Sequence, residues 1–171
     1  MIVLMAGLPG TGKSTLAHAL ASRMEGRVVS KDAIRHAIFA PDEIEYSTRQ
    51  DDFCMRIMLR TAAYLLEREP SRVIFLDGRT FSRRYQIENV VSAADSLHQP
   101  WRILECVCSE STAKARLEEH VAERVHPAAN RNFQLYLKVR SQYEAILQPK
   151  AVIDTDQALD LCVKASLAAI A

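Results

Sequence analysis

The stretch Ile2-Val3-Leu4-Met5-Ala6 runs directly into Gly7-Leu8-Pro9-Gly10-Thr11-Gly12-Lys13-Ser14-Thr15, and this junction decides the fold. Ile2 to Met5 is an unbroken apolar run, as expected of a strand covered on both faces. From about Ser14 to Glu25 the apolar residues Leu16, Leu20 and Met24 recur at helical spacing with alanines between them, and Gly26 supplies the stop. Between strand and helix, Gly7 to Ser14 fits G-x-x-x-x-G-K-S/T in full. Glycines let the backbone turn its N–H groups towards phosphate oxygens, and the following helix presents its positive end to the same anion. Lys13 can reach the β- and γ-phosphates as a point charge, and the Ser14 hydroxyl can bind Mg²⁺. The expectation is an ATP·Mg²⁺ cradle built from Gly7, Pro9, Gly10, Thr11, Gly12, Lys13, Ser14 and Thr15.

Working outward, apolar runs at Arg27–Val29, Val73–Asp77, Trp101–Val107 and Ala151–Asp154 alternate with amphipathic segments. Helices are expected from Lys31 to about Phe39, Thr48 to Glu69, Ser82 to Leu97, Ser111 to about Val121, Phe133 to Leu147, and Ala158 to the end. Such alternation predicts an α/β fold of three layers, a five-stranded parallel sheet with helices on both faces. The sequence has no repeat, low-complexity tract or linker, so 1–171 reads as one domain. His126-Pro127-Ala128-Ala129-Asn130 breaks the helical pattern between two helices.

Hydrophobic residues make up 49% and charged residues 25% of the 171, a globular mix, and the net charge is +1. A near-neutral molecule has no strong field for steering onto nucleic acid or anionic lipid. The N-terminal apolar run is too short for a signal peptide, and no other run reaches membrane length, so a soluble, cytoplasmic protein is expected. Four cysteines, at 54, 106, 108 and 162, give no zinc spacing. Cys106 and Cys108 read as alternate positions on one face of a strand, and all four as reduced thiols.

Asp32 and Arg35 lie three apart at the start of the short helix after the second strand, on one face. Beside a γ-phosphate, Asp32 could accept the proton of an attacking hydroxyl and Arg35 could hold the acceptor. Alternatively, Asp32 caps its helix.

Gly7 to Thr15 followed by Ser30-Lys31-Asp32-Ala33-Ile34-Arg35 resembles the P-loop kinase branch that includes the polynucleotide 5′-hydroxyl kinases, with gluconate kinase, chloramphenicol phosphotransferase and the zeta-type toxins as more distant relatives. The resemblance spans most of the chain and implies the P-loop NTPase fold with a helical lid, here about 116–132. It also implies Asp32 as general base and Arg35 as an acceptor contact. Asp77, ending a buried strand at the sheet edge where ligands collect, would hold a water on Mg²⁺, or else serve as a turn residue before Gly78. Leu76-Asp77-Gly78-Arg79 is similar to the L-D-G of nucleoside monophosphate kinases, but their phenylalanine-proline-arginine continuation is absent. Arg79, Arg83 and Arg84 are acceptor-binding candidates or a solvated face.

In the lid, Arg116 matches the phosphate-contacting arginine of the branch. The next arginine of the pattern is replaced by His120, which leaves Arg124 or Arg131 for that work, so Lys13, Asp32, Arg116 and Arg124 form the expected catalytic set. Asp154-Thr155-Asp156 matches a loop that passes near the adenine. The five histidines show no metal-ligand pattern. The leading expectation is an ATP- and Mg²⁺-dependent kinase for a hydroxyl on a small molecule, or less favourably on a nucleic-acid end. A regulatory NTPase without an acceptor is the alternative, although no N-K-x-D or L-S-G-G-Q motif supports it. A toxin- or antibiotic-directed phosphotransferase would share the mechanism and differ in acceptor.

Overall fold

The first strand, β1 (Ile2–Ala6), is buried along its whole length because it has a neighbour on either side and helices above and below. In the computed structural model, which describes residues 1–123 and 132–171, β1 is the centre of a five-stranded sheet of order β2-β3-β1-β4-β5. The partners are β2 (Arg27–Ser30), β3 (Ile74–Asp77), β4 (Trp101–Val107) and β5 (Ala151–Asp154), every pairing parallel. The helices are α1 (Lys13–Arg23), α2 (Lys31–Ile38), α3 (Thr48–Arg68), α4 (Arg84–Ser96), α5 (Glu110–Glu123), α6 (Phe133–Ser141) and α7 (Leu159–Ile170). The expected three-layer α/β fold is therefore present. None of the described helices is long and apolar enough to cross a membrane.

Strand periodicity divides the core in two. Ile2, Leu4, Ile74, Leu76 and Ile103 face Met55, Met58, Ala62 and Leu66 of α3 and Ile87, Val90 and Ala94 of α4. On the opposite face Val3, Met5, Phe75, Leu104 and Ile153 meet Leu16, Ala17 and Leu20 of α1 and Val163 and Ile170 of α7. A third, smaller cluster joins Ala113 and Leu117 of α5 to Tyr136 of α6, with Leu8 of the glycine-rich loop packed against it. This cluster seats the helices flanking the expected lid directly on that loop.

Two expectations need correction. The helix beginning at Phe133 ends at Ser141, not Leu147. Beyond it the Tyr143 hydroxyl donates to Glu105 at 3.1 Å, Glu144 accepts from the Arg84 backbone N–H at 2.8 Å, and Ile146 enters the core. These three contacts reach different partners, and one continuous helix could not serve them all, so tertiary contacts override propensity. Cys108 lies past the end of β4 and is only partly buried, so it does not share a strand face with Cys106. Cys106 is fully buried, and burial pushes its thiol up to about 12.

Candidate active site

The sheet reverses its winding beside β1, and the loops at the carboxyl ends of β1, β2 and β3 converge there. The first of these loops is fixed by sterics. Gly7 has φ +128°, and a Cβ at this position would stand 2.2 Å from the Cys106 carbonyl oxygen. Only glycine fits such an approach. Its N–H donates to the Thr80 carbonyl at 3.2 Å, which ties the β1 loop to the loop after β3. Lys13 opens α1, is buried, and donates through Nζ to the carbonyls of Gly7 at 2.8 Å and Leu8 at 2.7 Å. Its ammonium thus crosses the mouth of the loop, where the phosphates of a nucleotide would lie. Ser14 and Pro9 line the same cleft, whereas Thr15 is exposed.

At the end of β2, Ser30 caps α2 by accepting from the Ala33 N–H at 3.3 Å. Asp32 is therefore not the cap. Its carboxylate is buried and accepts from Arg35 Nη1 at 2.8 Å. Arg35 is only 1% exposed, and its charge is fully answered from within the protein. Besides Asp32, it donates to Asp51 through Nη2 and to Gln50 Oε1 through Nε at 3.1 Å, while its guanidinium lies 5.1 Å from the Tyr46 ring centre. Lys31 completes the group, with Nζ 2.8 Å from Asp51 Oδ1 and 3.4 Å from Asp32 Oδ1. Two cations and two carboxylates alternate around one centre, an arrangement in which each charge offsets the desolvation of the next.

The third loop follows Asp77. That residue is 4% exposed, and its Oδ1 has no hydrogen-bond partner among the described residues. A buried carboxylate oxygen left unpaired is costly unless something outside the protein completes it. Gly78 next to it has φ +92°, and a Cβ there would press to 3.1 Å on the Lys31 backbone N, so the end of β3 sits tight against the start of α2. Arg79 is buried and pairs with Asp52 at 2.7 Å, and the Tyr85 hydroxyl lies 3.2 Å from the same carboxylate. Arg83 is half-exposed and reaches Glu144 at 3.1 Å, while Arg84 is exposed.

These loops enclose a cleft of about 380 Å³, closed on the remaining side by Leu135, Lys138, Val139 and Gln142 at α6. Lys13, Ser14, Asp32, Arg35 and Arg79 all line it. Arg116 does not. It turns to the outer side of the glycine-rich loop, donating to the Thr155 carbonyl at 2.8 Å, the Thr155 hydroxyl at 3.1 Å and the Gly10 carbonyl at 3.5 Å. The Thr155 hydroxyl donates in turn to the Thr11 carbonyl at 3.1 Å. Arg116 and the Asp154–Asp156 loop thus clamp the loop's far flank near Gly10, Thr11 and Gly12. Arg124 and Arg131, and with them residues 124–131 of the expected lid, lie outside the described residues.

Sequence reasoning expected the segment from Asp42 to Cys54, Gln50 included, to line the acceptor pocket, but it did not single out Lys31, Asp51 or Lys138. Gln50 and Asp51 had a legible signal. With Ser47 as N-cap they fall in the first turn of α3, and Gln50 shares the inward face with Cys54. Lys138 carries no such signal, because only the reach of α6 over the cleft brings it in.

An AAA domain family, a family of P-loop kinases, matches residues 2–144. The chain belongs to that family. No curated protein matches the sequence. Among solved structures it is similar to Mycobacterium tuberculosis APS kinase CysC in complex with AMPPNP and APS, at 13% identity and TM-score 0.74 over 99% of this chain and 96% of that one. It is also similar to a gluconokinase from Sinorhizobium meliloti, at 18% identity and TM-score 0.65 over 99% and 90% of the two chains. Kti12 of Chaetomium thermophilum, solved with ADP-AlF3, gives 16% identity and TM-score 0.69 over the whole of both chains. At these identities the likeness is one of fold.

Proposed function

We propose that this protein is a kinase that moves the γ-phosphate of ATP onto an alcohol. The observation that carries the reading is a buried carboxylate, Asp32, held by Arg35 in the same cleft as Lys13 and Ser14. In the proposed reaction the acceptor oxygen forms a bond to the γ-phosphorus as the bond to the β–γ bridging oxygen breaks. Asp32 takes the hydroxyl proton, and ADP leaves with the bridging oxygen. Lys13 answers the charge of the β- and γ-phosphates, and positioning and electrostatics supply the catalysis.

The residues fit a magnesium ion. Ser14 offers a hydroxyl at the start of α1, and the unpaired Asp77 Oδ1 would accept from a water on the ion. Bound there, Mg²⁺ would neutralise phosphate charge. Arg116 acts from outside, fixing the loop's shape through Gly10 and Thr155, and Arg124 is the proposed arginine on the transferred phosphate. The small cleft favours a small-molecule acceptor over a nucleic-acid end.

The test is acceptor-dependent ATP turnover across sugars, sugar acids, nucleosides, 5′-hydroxyl oligonucleotides and antibiotics. A phosphorylated product supports the kinase reading. ATP hydrolysis that ignores every acceptor would move the protein to the regulatory-NTPase class.

A further inference from the structure

The acceptor end of the cleft is balanced in charge, and its two carboxylates are asymmetrically used. Asp32 and Asp51 each spend Oδ1 on the shared cations Lys31 and Arg35. Neither Oδ2 has a hydrogen-bond partner among the described residues, and both side chains line the cleft. The side chains keep 11% and 24% of their surface exposed, so part of each remains open to a ligand. Because both carboxylates grip one guanidinium and one ammonium, they stand next to each other. Arg79, the third buried cation here, is already answered by Asp52, and Arg83 at the rim by Glu144.

Two consequences follow for whatever binds. A carboxylate oxygen is purely an acceptor, so a pair of them side by side calls for two neighbouring donors on the ligand. An anionic ligand would have to compete with Asp32, Asp51 and Asp52 for buried cations that those residues already neutralise, while facing their charge. Lys138, exposed at the mouth, has no carboxylate partner among the described residues. Tyr46 and Tyr85 on the walls add apolar faces suited to the C–H surface of a carbon chain or ring.

We infer that the phosphoryl acceptor is an uncharged polyol with adjacent hydroxyls, one on Asp32 Oδ2 for transfer and its neighbour held by Asp51 Oδ2. The inference rests on the kinase reading for the transfer step alone. Asp51 is then an acceptor-binding residue, and it sets the preference for a vicinal diol over a lone hydroxyl.

The experiment measures both binding and transfer. Ribitol, myo-inositol and glucose are titrated by calorimetry and ligand-observed NMR in the presence of a non-hydrolysable ATP analogue. Gluconate, ribose 5-phosphate and 2-deoxyglucose serve as counterparts, and labelled-phosphate transfer from ATP is followed on the same compounds. The expected result is saturable binding of an uncharged polyol, weakened on the order of 10- to 100-fold when the neighbouring hydroxyl is removed, as for one charge-assisted hydrogen bond. In Asp51→Asn that difference should largely vanish. Three results would overturn the inference: stronger binding of an anionic counterpart, equal binding of the deoxy compound, or no binding of any uncharged polyol. All three use the wild-type protein and survive any folding defect of the variant. Diol binding without transfer would sink the kinase reading and leave this one standing. Transfer to an anionic or lone-hydroxyl acceptor would do the reverse.

Discussion

Replacing Arg35 by methionine should cost this protein more stability than any surface substitution. The side chain is 1% exposed, and it donates to Asp32, Asp51 and Gln50 while lying against Tyr46. Methionine fills much of the volume but leaves Lys31 alone between two carboxylates and Gln50 Oε1 with one donor fewer. Stranding one side of a buried ion pair costs about 3–5 kcal/mol. Asp51 is 24% exposed and Asp32 11%, so water reaches both and the lower end, about 3 kcal/mol, is expected. For a chain of this size that lowers Tm by roughly 6–12 °C. Arg35→Lys should recover less than half, because an ammonium cannot reproduce the two-pronged grip on Asp32 and Asp51. Urea unfolding of wild type, Arg35→Met, Asp51→Asn and the double variant gives the coupling directly, and at least about 1 kcal/mol is expected. An Arg35→Met variant within about 0.5 kcal/mol of wild type would refute the idea that this cluster is one buried electrostatic unit.

Three further predictions concern the frame around the cleft. Gly7→Ala forces a Cβ to 2.2 Å from the Cys106 carbonyl at φ +128°, so ATP binding by calorimetry should fall at least about 100-fold and Tm should drop. The Arg84 N–H, followed by Arg83, holds the Glu144 carboxyl below the usual glutamate range. Its contribution is therefore full above the ordinary glutamate pKa and is lost as pH falls through the depressed folded value. Glu144→Gln should lower Tm slightly at pH 7, and the difference should shrink as the pH is taken down through the carboxylate range. Burial keeps the Cys106 thiol protonated, with its pKa pushed up to about 12, so iodoacetamide at pH 8 should leave Cys106 unmodified in the native protein while labelling it after unfolding, as peptide mass spectrometry would show.

Much of this arrangement is legible in the residues before any coordinates. β1 and β3 are buried along their whole length, and the apolar runs Ile2–Met5 and Val73–Asp77 mark them to within one residue, because continuous burial in a parallel sheet leaves a continuous hydrophobic signature. The glycine-rich loop is legible for a related reason, since Gly7 answers a steric demand that only one residue type meets. The α6 boundary was not legible, because Tyr143, Glu144 and Ile146 leave the helix to meet partners more than 35 residues away in sequence. The role of Asp32 could be narrowed but not decided from spacing. Ser30 and Asp32 are both good capping types, and only the backbone shows that Ser30 takes the cap and frees Asp32 for Arg35. Asp51 could be placed in a pocket-lining segment but not given its partner, since that comes from lying against Lys31 twenty positions away.

The most direct test of the central claim separates nucleotide binding from chemistry at Asp32. Single-turnover transfer of labelled γ-phosphate should be measured for wild type and Asp32→Asn, alongside the equilibrium affinity for ATP·Mg²⁺. The account predicts a loss in transfer rate of roughly 10²- to 10⁴-fold, the usual worth of a general base, with ATP affinity unchanged within about threefold. Transfer that survives the substitution, or a rate that falls only in step with ATP affinity, would contradict the assignment of Asp32 as the group that takes the acceptor's proton.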